Sequence, residues 1–322
     1  MKIKPQFNDA VIAITYQCNL RCQMCNIWKM TDHRYLPILD YNKLPATLAD
    51  INITGGEPFL RPDIVELTAA IAKTCPRAKI IFSSNGFAPD LIIERIKAVL
   101  TKTKNIGVAI SLDGLGQIHD QIRGVPGTYD NAVATIKKLK ELGLSKFDVK
   151  IAFTLNNDNA DQLKKVYLLS RELDVDFTLA AVHNSDHYFS IKSNRLTKFE
   201  EIKAALEWLV NQEFKQFHFK KWLRAYFAYG LWHFIKYHQR ILPDYSGYDS
   251  FFMDPKGAVY PSSTSNRVLG QLPNIDTITI DDKIAEPASW MICTVRSAVK
   301  RHPLKVMDWI LKNKLTGYVY LK

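Results

Sequence analysis

Two rhythms of apolar positions interleave along the N-terminal part of the chain. Short β-branched runs at residues 10–15, 50–54, 79–83, 106–112, 148–154 and 176–181 read as strands. Between them, stretches at 62–74, 90–101, 129–142 and 159–173 carry apolar residues at helical spacing. Asp63 and Asp130 put negative charge at helix starts, and Gly143 follows KKLKEL as a stop signal. Strict alternation of strands and helices implies a parallel sheet with right-handed crossovers. Six such units fall short of an eight-stranded barrel. The expected fold is therefore α/β, an open, partial (β/α)6 TIM-like barrel with its functional groups at the C-terminal strand ends.

The rhythm changes after residue 196. Residues 197–242 read as a helical segment, and residues 243–322 as a small α+β extension with a basic helical tail. In the extension, DPKG between FFM and AVY predicts a β-hairpin. No acidic residue falls between Glu213 and Asp244, while nine aromatic and eight Lys, Arg or His side chains crowd residues 217–240. Phe219, Trp222, Leu223, Tyr226, Phe227, Leu231, Phe234 and Ile235 share one helical face. That face suits packing over the barrel; with Lys300, Arg301, Lys305, Lys312 and Lys314 around Trp309, a peripheral membrane contact is the alternative.

With 322 residues and 47% apolar content the chain can bury a large core. The opening MKIKPQFNDA lacks the apolar stretch of a secretory signal, and no run is long enough to span a bilayer. Clustered cysteines then point to the reducing cytoplasm. The formal net charge of +11 suits acidic partners. No recognisable DNA- or RNA-binding module accompanies it, so no nucleic acid is expected. GLGQIH begins like a dinucleotide fingerprint, but His119 stands where its third glycine belongs.

Three of the five cysteines, Cys18, Cys22 and Cys25, fall in CNLRCQMC directly after the first strand. Three thiols on one small loop suit a metal. A zinc site needs a fourth ligand, for which only His33 is near, and a closed iron-sulfur cluster needs four thiolates. Three thiolates leave one iron of a [4Fe-4S] cluster open to something else. After the second strand comes GGEP, in which Gly55 and Gly56 let backbone approach a ligand closely and Glu57 can accept from an ammonium group.

CNLRCQMC matches the CxxxCxxC signature of the radical S-adenosylmethionine (SAM) superfamily, and the chain resembles that family along most of its length. Met24 stands where the family usually has an aromatic residue; a thioether fills the same apolar gap. The resemblance implies a [4Fe-4S] cluster on Cys18, Cys22 and Cys25 whose open iron chelates SAM. Reductive cleavage of SAM then yields a 5′-deoxyadenosyl radical that takes hydrogen from a substrate. It further implies that Gly55, Gly56 and Glu57 receive the methionyl amine. Asn85 of SSNG and Ser111 of SLDG would reach the ribose or methionyl moiety, and Arg123 the SAM carboxylate. Helix capping is an equal reading for Asp113. The adenine would lie near Trp28 and the fifth strand end, with Asn156 as a hydrogen-bond partner.

The segments GYDSFFMDPKGAVYPS, LGQL and WMICTVRSA resemble the SPASM and twitch extensions of that family. Those extensions bind auxiliary clusters, but here Tyr245 and Ser262 stand where thiols belong and only Cys293 remains. One thiolate cannot hold a cluster. The expectation is a degenerate extension that closes the open side of the barrel, with Cys293 either buried and inert or a hydrogen-atom donor to a substrate radical. Cys75 reads as structural. The expected reaction is oxidation or epimerisation of a peptide or saccharide, lipid-linked ones included, with flavodoxin or ferredoxin as electron donor. Radical SAM methyl transfer and a non-catalytic iron-sulfur sensor or scaffold are the alternatives.

Overall fold

Each expected strand forms. The computed structural model describes residues 2–143, 147–281 and 289–321. After a short β1 (Lys2–Ile3) come β2 (Asp9–Ala13), β3 (Asp50–Thr54), β4 (Lys79–Ser84), β5 (Ile106–Ser111), β6 (Asp148–Leu155) and β7 (Asp176–Ala181). From β2 to β7 they pair in parallel in chain order. Helices α1 (Ile64–Thr74), α2 (Pro89–Leu100), α4 (Thr128–Glu141) and α5 (Gln162–Glu172) fill the crossovers. A further helix, α3 (Gln117–Arg123), was not legible in the periodicity because it is only seven residues long. The result is a mixed α/β fold, a partial TIM-like barrel.

The strands alternate in burial in a way that locates the lumen. Ile51, Ile53, Ile80, Phe82, Ile151, Phe153, Phe177 and Leu179 face the helices and are at most 2% exposed. Their neighbours Asn52, Thr54, Ser83, Ala152, Thr154, Thr178 and Ala180 are only part-buried. A parallel sheet covered on both faces would be apolar on both. The small and polar second face marks an accessible concave side, where Asn52 and Ser83 exchange hydrogen bonds of 3.0 and 3.1 Å.

A seventh parallel strand comes from the extension. β8 (Ser250–Met253) pairs with β2, so the expected hairpin joins the barrel sheet through its first arm. β9 (Ala258–Tyr260) returns antiparallel and β10 (Gly270–Gln271) follows. Asp254 closes the turn, its carboxylate accepting from Lys256 N and Ala258 N, each at 2.9 Å. A separate pair joins β1 to β11 (Ile280–Asp281).

Helices α6 (Phe199–Lys215) and α7 (Phe219–Tyr237) pack on each other beside β7. Tyr226, Phe227, Leu231 and Ile235 of α7 are buried. At Gly230 a Cβ would lie 2.1 Å from the Trp290 ring, so glycine is what lets the indole seat there and donate from Nε1 to Phe227 O at 2.9 Å. Most of the aromatic stripe is thus internal packing; Phe219 is 52% exposed.

The basic tail is two helices, α8 (Ile292–Arg301) and α9 (Pro303–Leu315), broken at Pro303. Arg296 binds Asp9 at 3.2 Å and Asp50 at 2.6 Å, and Arg301 binds Asp249 at 2.6 Å. Those carboxylates stand at the N-terminal ends of β2, β3 and β8, so α8 lies across the barrel floor. Among the described residues no helix is long and apolar enough to cross a membrane.

Candidate active site

Where β2 ends, its backbone turns into the cysteine loop, which is pinned from three sides. On the first side, Ile14 N donates to Thr54 O at 2.9 Å, Gly56 N to Thr15 O at 2.8 Å and Glu57 N to Gln17 O at 2.7 Å. A Cβ on Gly56 would sit 2.1 Å from Gln17 O, and Gly55, at φ +146°, would place one 2.3 Å from Thr15 O. Only glycines admit this approach. On the second side, Arg21 N and Gln23 N donate to Arg123 O and Ile122 O at the end of α3, each at 3.0 Å. On the third, Asn26 N donates to Phe189 O at 2.8 Å, and Asn194 Nδ2 to Met24 O at 3.1 Å.

Cys18, Cys22 and Cys25 are half-buried free thiols on this loop. Burial pushes Cys18 and Cys25 up to about 12 and also raises Cys22, against which the Arg123 guanidinium works. Arg123 Nη1 lies 3.8 Å from Cys22 Sγ. Among the described residues no three His, Cys, Asp or Glu side chains gather tightly enough for a single metal ion. The donor set fits a [4Fe-4S] cluster by its chemistry: soft thiolates on one mouth-facing loop, with a cation beside them to favour the charged form.

Glu57 faces inward and is 1% exposed. Its carboxylate accepts from Asn85 N at 2.8 Å, Ser84 Oγ at 2.9 Å and Phe59 N at 3.3 Å, while burial pushes its pKa up to about 7. The side chain therefore ties the GGEP loop to the end of β4. Asn85 Nδ2 in turn donates to Asn19 Oδ1 of the cysteine loop at 2.7 Å. Arg61, wholly buried, reaches Ile14 O at 2.9 Å, Leu36 O at 2.9 Å and Asp63 at 2.7 Å. It holds the backbone where β2 runs into the cysteine loop.

Arg123 is spoken for in a similar way. Its Nη2 meets the fully buried Asp113 carboxylate at 2.6 Å. Burial pushes Asp113 up and the guanidinium pulls it back. Asp113 also accepts from Thr154 N at 2.8 Å, so it bridges β5 to β6 and does not cap a helix. His119 Nδ1 accepts from Asp113 N at 2.9 Å; burial and Arg123 lower its pKa to about 2. Ser111 ends β5 on the inner face, opposite Ala152. Asn156 uses Oδ1 to accept from Asp158 N, and the Trp28 indole N–H is buried without a partner among the described residues.

The structure brings Cys18, Cys22, Cys25, Gly55, Gly56, Glu57, Asn85 and Arg123 into one connected network. Cys293 is not brought to it: it begins α8 on the floor near Asp9, and burial raises its thiol to about 11. Cys75 is buried with Sγ 3.4 Å from Pro45 O. Tyr245 bonds His302 Nε2 at 2.7 Å, and Ser262 meets Thr264 Oγ1 at 3.0 Å.

Sequence reasoning missed the segment after β7, HNSDHYFSIKSN. Tyr188 packs against Phe189 and Phe252 at 4.6 and 4.7 Å between ring centroids, and His187 stacks on Tyr260 at 4.0 Å. Tyr188, Phe252 and Tyr260 form a second apolar cluster with Tyr16 and Ile27, against which Phe189, Cys18 and Cys25 pack. The dense run of His, Asn and aromatic residues was the available signal.

The sequence profile of the Radical SAM superfamily matches residues 12–170. The chain is 31% identical over 166 residues to the sporulation killing factor maturation protein SkfB of Bacillus subtilis, covering 49% of this chain and 38% of that protein. It is 27% identical over 205 residues to the mycofactocin maturase MftC of Mycolicibacterium smegmatis, covering 61% of this chain and 50% of that one. The chain thus spans about half or less of the length of these curated relatives. Among solved structures, anSMEcpe with bound AdoMet and the Cp18Cys peptide superposes with a TM-score of 0.58 at 14% identity, covering 95% of this chain and 99% of that one. At that identity the likeness shows the fold alone. With the cysteine loop, the glycine contacts and the profile in agreement, residues 12–170 form a radical SAM domain, and members of that superfamily use a [4Fe-4S] cluster and SAM.

Proposed function

We propose that this chain is a radical SAM enzyme that modifies a peptide. The observation that carries the reading is the docking of the cysteine loop on GGEP, which sets three thiols beside a backbone that only glycines could supply. Cys18, Cys22 and Cys25 would hold the cluster, which when bound supplies one electron to SAM. Gly55 and Gly56 would receive the methionyl ammonium through backbone carbonyls, and Glu57 would keep that loop in register from within. Arg123, held by Asp113, lends positive charge to Cys22 and steadies the thiolate. Asn85, Ser111, Asn156 and Trp28 would be further SAM contacts.

Support for a peptide comes from the relatives, a maturation protein and a maturase, and from the peptide bound to anSMEcpe. The small polar residues of the inner barrel face, Asn52, Ser83, Thr154 and Thr178, offer hydroxyl and amide groups suited to peptide backbone. The net charge of +11 fits an acidic flavodoxin or ferredoxin as electron donor.

The test is anaerobic reconstitution with iron and sulfide, reduction, and product analysis. Formation of 5′-deoxyadenosine by the wild type, lost in Cys22→Ala, is expected. S-adenosylhomocysteine as the only nucleoside product would replace the reading with methyl transfer, and no turnover of SAM at all would leave a non-catalytic protein.

A further inference from the structure

The segment after β7 reaches across the barrel mouth to the GGEP loop through one side chain. Tyr188 donates from its hydroxyl to Gly55 O at 3.1 Å, and the same hydroxyl lies 3.0 Å from Thr54 Oγ1. A phenol has one proton. With that proton on Gly55 O, the Thr54 hydroxyl must donate to Tyr188, giving a directed chain from Thr54 through Tyr188 to the Gly55 carbonyl.

Nothing in this chain is free to swing. Tyr188 is 5% exposed, and its ring is wedged between Phe189 and Phe252. Its own backbone N–H is held by Ser185 Oγ at 3.1 Å. On the receiving side, Gly55 sits at φ +146° with no room for a Cβ, and the next amide, Gly56 N, is fixed on Thr15 O. The peptide plane between Gly55 and Gly56 is therefore held at both ends, by the cysteine loop through its N–H and by Tyr188 through its C=O. A carbonyl oxygen has two lone pairs. Tyr188 takes one and leaves the other, aimed by the first bond.

We infer that Tyr188 is a positioning residue for SAM: its hydroxyl orients the Gly55 carbonyl so that the free lone pair meets the methionyl ammonium. This rests on the radical SAM reading of the site above and adds to it a group from outside every motif of the cysteine and GGEP loops. The physical alternative is that Tyr188 is only an apolar wedge under the cysteine loop, where a phenylalanine would serve as well.

The experiment compares wild type, Tyr188→Phe, Phe189→Leu and Thr54→Val, each reconstituted anaerobically. SAM affinity is measured by equilibrium dialysis, and iron content and thermal midpoint are read on the same samples. Loss of one net hydrogen bond predicts about five- to tenfold weaker SAM binding in Y188F. The KM for SAM in 5′-deoxyadenosine formation should rise by the same factor, with kcat at saturating SAM within about twofold of wild type. F189L thins the same aromatic stack but keeps the hydroxyl, so its SAM affinity should stay within about twofold. The double variant Y188F/T54V should bind no more weakly than Y188F, because both lie on one chain.

A wild type that binds SAM together with a Y188F that binds it equally overturns this inference alone. Equal losses of iron and SAM in Y188F and F189L identify the wedge and also overturn it. A wild type that does not bind SAM overturns the reading of the site, and this inference with it.

Discussion

Replacing Asp113 with Asn tests the electrostatic logic of the site at its most enclosed point. The carboxylate is fully buried, and Arg123, 8% exposed, meets it at 2.6 Å. In Asp113→Asn the amide oxygen can still accept from Thr154 N, as the carboxylate does at 2.8 Å. Its NH2 group, however, then faces a guanidinium that cannot lose its proton. Among the described residues, the stranded cation keeps only Cys22 Sγ, at 3.8 Å, as a nearby acceptor. Removing one partner of a buried pair costs about 3–5 kcal/mol, because a charge is left without compensation. At about 1.4 kcal/mol per factor of ten, the unfolding constant should rise by about two to three and a half orders of magnitude. Urea denaturation of the metal-free protein measures this as a lower midpoint at unchanged slope. Replacing both partners removes the stranded charge, so Asp113→Asn with Arg123→Met should cost clearly less than the two single losses added together. A loss below about 1 kcal/mol in D113N, or an additive double variant, would refute the claim that the pair is ionised and enclosed.

Other consequences are as direct. Arg61→Met leaves Asp63 alone and strips donors from Ile14 O and Leu36 O, so about 3 kcal/mol of stability should be lost together with iron uptake; unchanged iron content would separate Arg61 from the cysteine loop. Gly56→Ala would place a methyl group 2.1 Å from Gln17 O, and the backbone shift needed should cost about 1–3 kcal/mol and lower iron retention, checked by thermal melting and iron assay. Burial holds His119 near 2 and His183 near 4 in the folded chain, against an ordinary value of 6.5. Below pH 6.5 the unfolded chain binds protons that the folded chain refuses, so stability falls as pH drops, until about pH 4 for His183 and about pH 2 for His119. His119→Gln keeps an acceptor for Asp113 N and should flatten this fall by about 1.4 kcal/mol per pH unit between pH 6 and 4. Equal slopes in urea titrations of the two proteins would contradict a neutral His119.

The barrel was legible because its strands and helices differ in apolar period, and every crossover helix longer than ten residues carried that signal. The short α3 did not, and it proves important: its end supplies Arg123 and two carbonyls to the cysteine loop. The hairpin at residues 250–260 was readable from its DPKG turn, but its pairing with β2 was not, since four buried residues fit either a free hairpin or a sheet member. Of the site, the cysteines and glycines announced themselves by spacing. The direction of the Glu57, Asn85 and Asp113 side chains did not, because partners 28, 66 and 41 residues away decide it. Tyr188, whose Gly55 partner lies 133 residues away, was invisible for the same reason. The aromatic stripe of α7 is plainly periodic in the sequence, but periodicity alone does not say whether a face meets protein or lipid. Trp290 and Gly230 settle most of it as interior.

The most direct test of the account is the electron paramagnetic resonance spectrum of the reconstituted, reduced protein before and after SAM is added. Three protein thiolates leave one iron for SAM, so the spectrum should change on addition, and Cys18→Ala, Cys22→Ala and Cys25→Ala should each abolish the signal. A reduced cluster whose spectrum ignores SAM, or zinc bound in place of iron, would contradict it.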